Sequence, residues 1–164
     1  MVLRIVIFLL INFSALGLGS FLMGEGPGSD WYQQLALPPW MPPGWLFGFA
    51  WTTIMICFSI YMAILWDKTP SKKNTLIVYL VQLILNIAWN PVFFNFNWDF
   101  LGLIVISALL LVVGYMLYSN YRVLGYLSLL ILPYFIWLMI ATSINAYITL
   151  YNSWMYFGLE EICV

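Results

Sequence analysis

The residues with the most chemical promise are uncharged amides set in an apolar background. Gln82, Asn86 and Asn90 recur at every fourth position, and Phe93 continues the run. On an α-helix that spacing places them on one face. A second run, Trp137, Ala141, Asn145 and Thr149, has the same spacing. An amide facing lipid leaves its donors and acceptors unmet, so each strip must face protein, water or a ligand. Two uses remain open: hydrogen bonds between helices, and a polar strip along a cavity. Three amides in register favour the cavity. Trp51 and Trp137 lie well inside apolar runs, where an indole N–H needs a partner. Together these residues describe an aromatic cavity with a few amide donors and acceptors. That chemistry suits a flat hydrophobic ligand carrying a few polar groups.

Other chemistries lack their residues. The 164-residue chain contains no histidine, so a hydrolase triad has no usual base. Its two cysteines, Cys57 and Cys163, are too far apart in sequence to supply a zinc site alone. The carboxylates all fall at the ends of apolar runs or between them, whereas a proton relay keeps an ionisable group inside the membrane. No catalytic residue, no metal ligand and no required cofactor is expected. A net charge of −1 with no basic cluster beyond three lysines argues against nucleic acid.

The elements that must position the two strips follow from charge. Hydrophobic residues make up 65% of the chain and charged residues 7%, against about 25% charged in a soluble domain. Residues 5–24, 31–66, 74–98, 100–121 and 123–159 carry no Asp, Glu, Lys or Arg. Each interval reaches the roughly 20 residues that span a bilayer as a helix. The expected fold is therefore an all-α integral membrane protein, a bundle of five transmembrane helices forming one domain over 1–157. The helices are expected at about 3–22, 44–66, 75–96, 100–118 and 123–151, followed by a short acidic tail, 158–164. Between the first two lies a Pro-rich loop, 31–43, in which Pro38, Pro39, Pro42 and Pro43 exclude a helix. A bend is expected near Pro91 and a kink at Pro133. With five spans, every Lys and Arg falls on one side, in the N-terminus, the 67–74 loop and a loop at Arg122. The positive-inside rule then puts the N-terminus on the cytoplasmic side, and the Pro-rich loop and C-terminus opposite.

At these residues the chain resembles a known family. LALPPWMPPGWLFGFAW at 35–51, LNIAWNPVFF at 85–94 and LPYFIWLMIATSINAYITLYN at 132–152 are similar to three motifs of the tryptophan-rich sensory protein family, whose eukaryotic members are called translocator protein or peripheral-type benzodiazepine receptor. The resemblance implies a five-helix bundle with a pocket closed by the Pro-rich loop, and a porphyrin such as protoporphyrin IX as ligand. Carried over residue by residue, Trp31, Pro42 and Pro43 match the lid and Trp51 the second-helix wall. Asn86, Asn90 and Phe93 match the third-helix lining. Trp137, Ala141 and Asn145 match the fifth-helix side. Two features depart from the pattern. Leu37 stands where a basic residue often precedes the loop prolines, and no basic residue follows Arg122, so the sterol motif of eukaryotic members is absent. The implied function is a membrane receptor or carrier for tetrapyrroles, in transport or stress sensing. Alternatives are light-dependent or oxidative porphyrin breakdown, and a small structural subunit of a larger membrane complex. The implied partners are membrane lipids, the porphyrin, and either a second copy of the chain or a larger membrane complex.

Overall fold

A computed structural model describes the backbone of residues 1–160 and the side chains of residues 1–152. The expected acidic tail, 158–164, lies outside the described side chains, as does Cys163. Every element among the described residues is helical. Five long helices are α1 (Val2–Leu22), α3 (Gly44–Lys68), α4 (Lys72–Asn90), α5 (Asp99–Leu124) and α6 (Leu132–Glu160). A single turn, α2 (Asp30–Gln33), opens the Pro-rich segment. Four stretches are long and apolar enough to cross a membrane: Val2–Gly28, Gly44–Lys68, Lys72–Asn95 and Asp99–Asn152. Where five were expected, the fourth stretch is a 54-residue run that contains α5 and most of α6.

The joint between α5 and α6 explains that run. Gly125 adopts φ 58°, ψ −134°, a conformation that ends α5 and that side chains with a Cβ rarely take. The backbone continues at once as a tight 3₁₀ segment, Gly125–Ile131, and then as α6. Pro133 falls in the first turn of α6, where its missing N–H costs no helical bond. The expected kink is thus a change of helix type just before the proline. The α5 helix also runs further than expected, so Arg122 sits in its last turn and not in a loop. Glycine, with nothing else to break the run before it, sets that boundary. Pro91 has the effect expected of a proline inside a helix. The last turn beyond α4 widens to a π-turn over Pro91–Asn95, and Phe96 N–H bonds to the Pro91 carbonyl at 2.9 Å.

Helix packing does not simply follow chain order, since α1 lies between α3 and α4. α1 lies against α3 and α4, α4 against α5, and α5 against α6. The centre is filled by Phe58, Tyr61, Met62, Val113 and Leu138, all essentially unexposed. The outer surface is apolar as well: Leu111 is 74% exposed and Ile84 63%. The apolar surface faces outward because the solvent it matches is hydrocarbon.

Polar groups join the helices from inside. The Asn12 amide of α1 donates to Ser59 Oγ of α3 at 2.8 Å, and the Tyr79 hydroxyl of α4 donates to Asn12 Oδ1 at 2.8 Å. The Ser59 hydroxyl in turn donates to the Met55 carbonyl at 2.6 Å. One buried asparagine therefore ties three helices together. At one end of the bundle, Arg4 pairs with Asp67 and the Lys72 ammonium lies 5.4 Å from the centre of the Trp66 ring.

Replacing Asn12 by leucine removes two interhelical bonds and should lower stability by roughly 1–2 kcal/mol. Unfolding in mixed micelles with increasing dodecyl sulfate measures this. Equal midpoints for Asn12→Leu and the parent protein would show that the network contributes nothing.

Candidate ligand-binding site

The amide strip on α4 winds as it ascends. Four residues advance an α-helix by slightly more than one turn, so the strip drifts by about 40° per step. Its three members therefore meet different neighbours. Gln82 and Asn86 are buried and converge on α6, where Gln82 Nε2 and Asn86 Nδ2 donate to the Tyr134 hydroxyl at 2.8 and 2.6 Å. Asn90 has turned toward α1. Its amide bonds back to the Asn86 carbonyl at 3.3 Å and rests against Gly19, where a Cβ would lie 2.7 Å from Asn90 Nδ2. The three amides are thus held by protein partners, the alternative that spacing alone left open. Gln82 Oε1 is buried and without a partner.

Tyr134 is the hub of the first cluster. Trp51 meets it edge-on at 6.0 Å and Phe58 at 5.5 Å. One turn along α6, Trp137 is 6% exposed and forms a T-shaped pair with Phe47 of α3, the ring centres 5.1 Å apart. Ala141 is half-buried and packs on the same core. Trp51, Asn86 and Trp137 thus share one neighbourhood, between α3, α4 and α6.

The second cluster lies nearer the Pro-rich end. The Trp89 indole donates to Asn145 Oδ1 at 3.1 Å, and the Asn145 amide donates to the Asp99 carbonyl at 3.0 Å. Phe93 stacks on Trp89 at 5.3 Å and receives Trp31 edge-on at 5.5 Å. Gly102 makes room for this. A Cβ there would sit 3.0 Å from Phe93 Cδ2 and 3.3 Å from Asn145 Oδ1. Beside Trp31, burial raises the Tyr32 phenol above its ordinary pKa, so it stays neutral.

The Pro-rich segment is fastened onto α6. The Ala36 N–H donates to Asn152 Oδ1 at 2.9 Å, and Asn152 Nδ2 returns a bond to the Ala36 carbonyl at 3.4 Å. Trp40 donates to Ser143 Oγ at 3.3 Å and sits edge-on to Tyr147. Pro43 then serves as the N-cap of α3, with half-buried Pro42 just before it.

Below that fastening an apolar groove of about 480 Å³ runs between α3 and α6. Phe49, Ala50 and Ile54 form one wall, and Pro133, Trp137 and Ile140 the other. Trp137 is the one expected site residue among its lining. Spacing did not single out Tyr134, Trp89, Asn12 or Asn152. Two of them carried a signal: Asn12 is a lone amide in an apolar run, and Asn152 lies seven residues beyond Asn145 on the same helical face.

The TspO/MBR family model matches residues 6–151, which is most of the chain. The chain belongs to the TspO/MBR family. It is 31% identical to the tryptophan-rich sensory protein of Cereibacter sphaeroides, over 71% of this chain and 73% of that protein. It is 31% identical to the tryptophan-rich protein TspO of Archaeoglobus fulgidus, over 82% of this chain and 88% of that protein. It is also 30% identical to the human translocator protein, over 74% of each. Family membership and the apolar helices together make it an integral membrane protein.

Removing the Tyr134 hydroxyl leaves two buried amides without an acceptor. Tyr134→Phe should cost roughly 1–3 kcal/mol of stability, while Tyr126→Phe, on a residue 78% exposed, should cost almost nothing. Unfolding midpoints that move equally for both would contradict the hub.

Proposed function

We propose that the protein is a membrane receptor or carrier for a porphyrin or a similarly flat, hydrophobic ligand, bound in the groove between α3 and α6. The observation that supports this most is the groove itself. At about 480 Å³ it falls within the range of ordinary ligand pockets, its walls are apolar and aromatic, and Trp137 stands in its lining. Ile140, at its upper end, accepts a bond from Ser143, and Ser143 holds Trp40 of the Pro-rich segment. The lid is thus pinned one turn above the groove. Movement of that segment would open or close the upper end.

The topology that goes with this reading has five spans. Its support is the antiparallel packing of α5 and α6: Asn145 meets Asp99 near one end, and Gly114 approaches Phe135 further along. Two antiparallel helices joined at Gly125 fit two spans. The cations favour one orientation. Arg4, Lys68, Lys72, Lys73 and Arg122 gather at the end opposite the Pro-rich segment, which would face the cytoplasm, with the lid on the other side.

Protoporphyrin IX titrated into the purified protein should quench tryptophan fluorescence to saturation, after correction for absorption by the porphyrin. Trp137→Ala should weaken binding about tenfold, the equivalent of about 1.4 kcal/mol. Leu111→Ala, on an outward face of α5, should leave it unchanged. Saturable binding that ignores Trp137 would place the ligand elsewhere, and no saturable binding would remove the porphyrin reading.

A further inference from the structure

A second groove, about 620 Å³, lies at the other end of the molecule, against the last turns of α5. Its lining combines two chemistries. Leu117 of α5 and Phe135 of α6 form an apolar floor, and Gly114 lets the phenyl ring come close, since a Cβ there would be 3.1 Å from Phe135 Cε2. Tyr115, Tyr118 and Arg122 follow at i, i+3 and i+7, a spacing that keeps them on one face of α5. All three are exposed; Tyr118 is 83% so.

Arg122 differs from the other arginine. Arg4 is paired with Asp67, whereas Arg122 has no carboxylate within ion-pairing distance among the described residues. It is an uncompensated guanidinium at the rim of an apolar trough, flanked by phenols that can donate hydrogen bonds. A guanidinium there fits a phosphate oxygen pair. A free anion would satisfy the guanidinium but leave the trough empty.

We propose that this groove is a binding site for an anionic phospholipid. Its phosphate is held by Arg122 and the neighbouring phenols, and one acyl chain lies over Gly114 and Phe135. The site is separate from the groove between α3 and α6 and does not depend on what that groove binds. It would anchor the α5–α6 joint at the end of the bundle where the cations gather.

Native mass spectrometry of the detergent-solubilised full chain tests this, with phosphatidylglycerol and phosphatidylcholine of identical acyl chains as probes. The expected result is preferential retention of phosphatidylglycerol, reduced about fivefold in Arg122→Gln. Lys73→Gln, at the same end but outside the groove, should retain it. Circular dichroism confirms that both variants remain helical. Equal retention of the two lipids would overturn the proposal. So would an unchanged preference in Arg122→Gln, or displacement of phosphatidylglycerol by millimolar inorganic phosphate, which would make this a site for small anions.

Discussion

A polar group inside an apolar bundle has no water to fall back on. An amide or hydroxyl there is satisfied only by another side chain or by the backbone, and leaving one unmet costs free energy. That constraint sets the architecture of this protein. Asn12, Ser59 and Tyr79 fix the relative positions of α1, α3 and α4. Gln82 and Asn86 fix α4 against α6 through one phenol, Tyr134. Asn145 binds the start of α5, and Asn152 holds the Pro-rich segment. Apolar contacts supply bulk but little direction, since lipid is as apolar as leucine. The hydrogen bonds decide which helix faces meet.

The constraint also separates structural polarity from recognition. The amides of α4 meet protein partners, and the groove between α3 and α6 has almost no polar lining. Recognition in such a groove would rest on shape and aromatic contact, with Trp137 and Phe49 as its walls. Its upper end is governed by a segment stiffened with prolines and fastened at Ala36 and Trp40. A rigid segment with few attachment points can move as a unit, and such a movement would change access to the groove from its upper end.

Much of the fold was legible from charge spacing alone. The apolar runs mark the helices because charges cannot sit in hydrocarbon, and Pro91 and Pro133 mark real changes in helix geometry. The α5–α6 boundary was less legible. Arg122 reads as a loop residue, yet a helix end tolerates a cation in its last turn. For the site, sequence spacing put the three amides in one strip but could not say which way each would point. A four-residue repeat drifts around the helix, so Asn90 turns to Gly19 while Asn86 meets Tyr134. Tyr134 itself was hidden because an isolated tyrosine in an apolar run carries no periodic signal. Its role depends on neighbours 48 and 52 residues away.

The central claim is that ligand recognition belongs to the groove between α3 and α6, while the α4 amides serve to hold the bundle. A porphyrin bearing a photoactivatable diazirine, cross-linked to the protein in lipid bilayers and mapped by peptide mass spectrometry, tests it most directly. Labels confined to residues 46–54 of α3 and 129–140 of the 3₁₀ segment and α6 would bear the claim out. Labels concentrated on residues 86–93 would contradict it, because the ligand would then lie among the amides assigned here to structure.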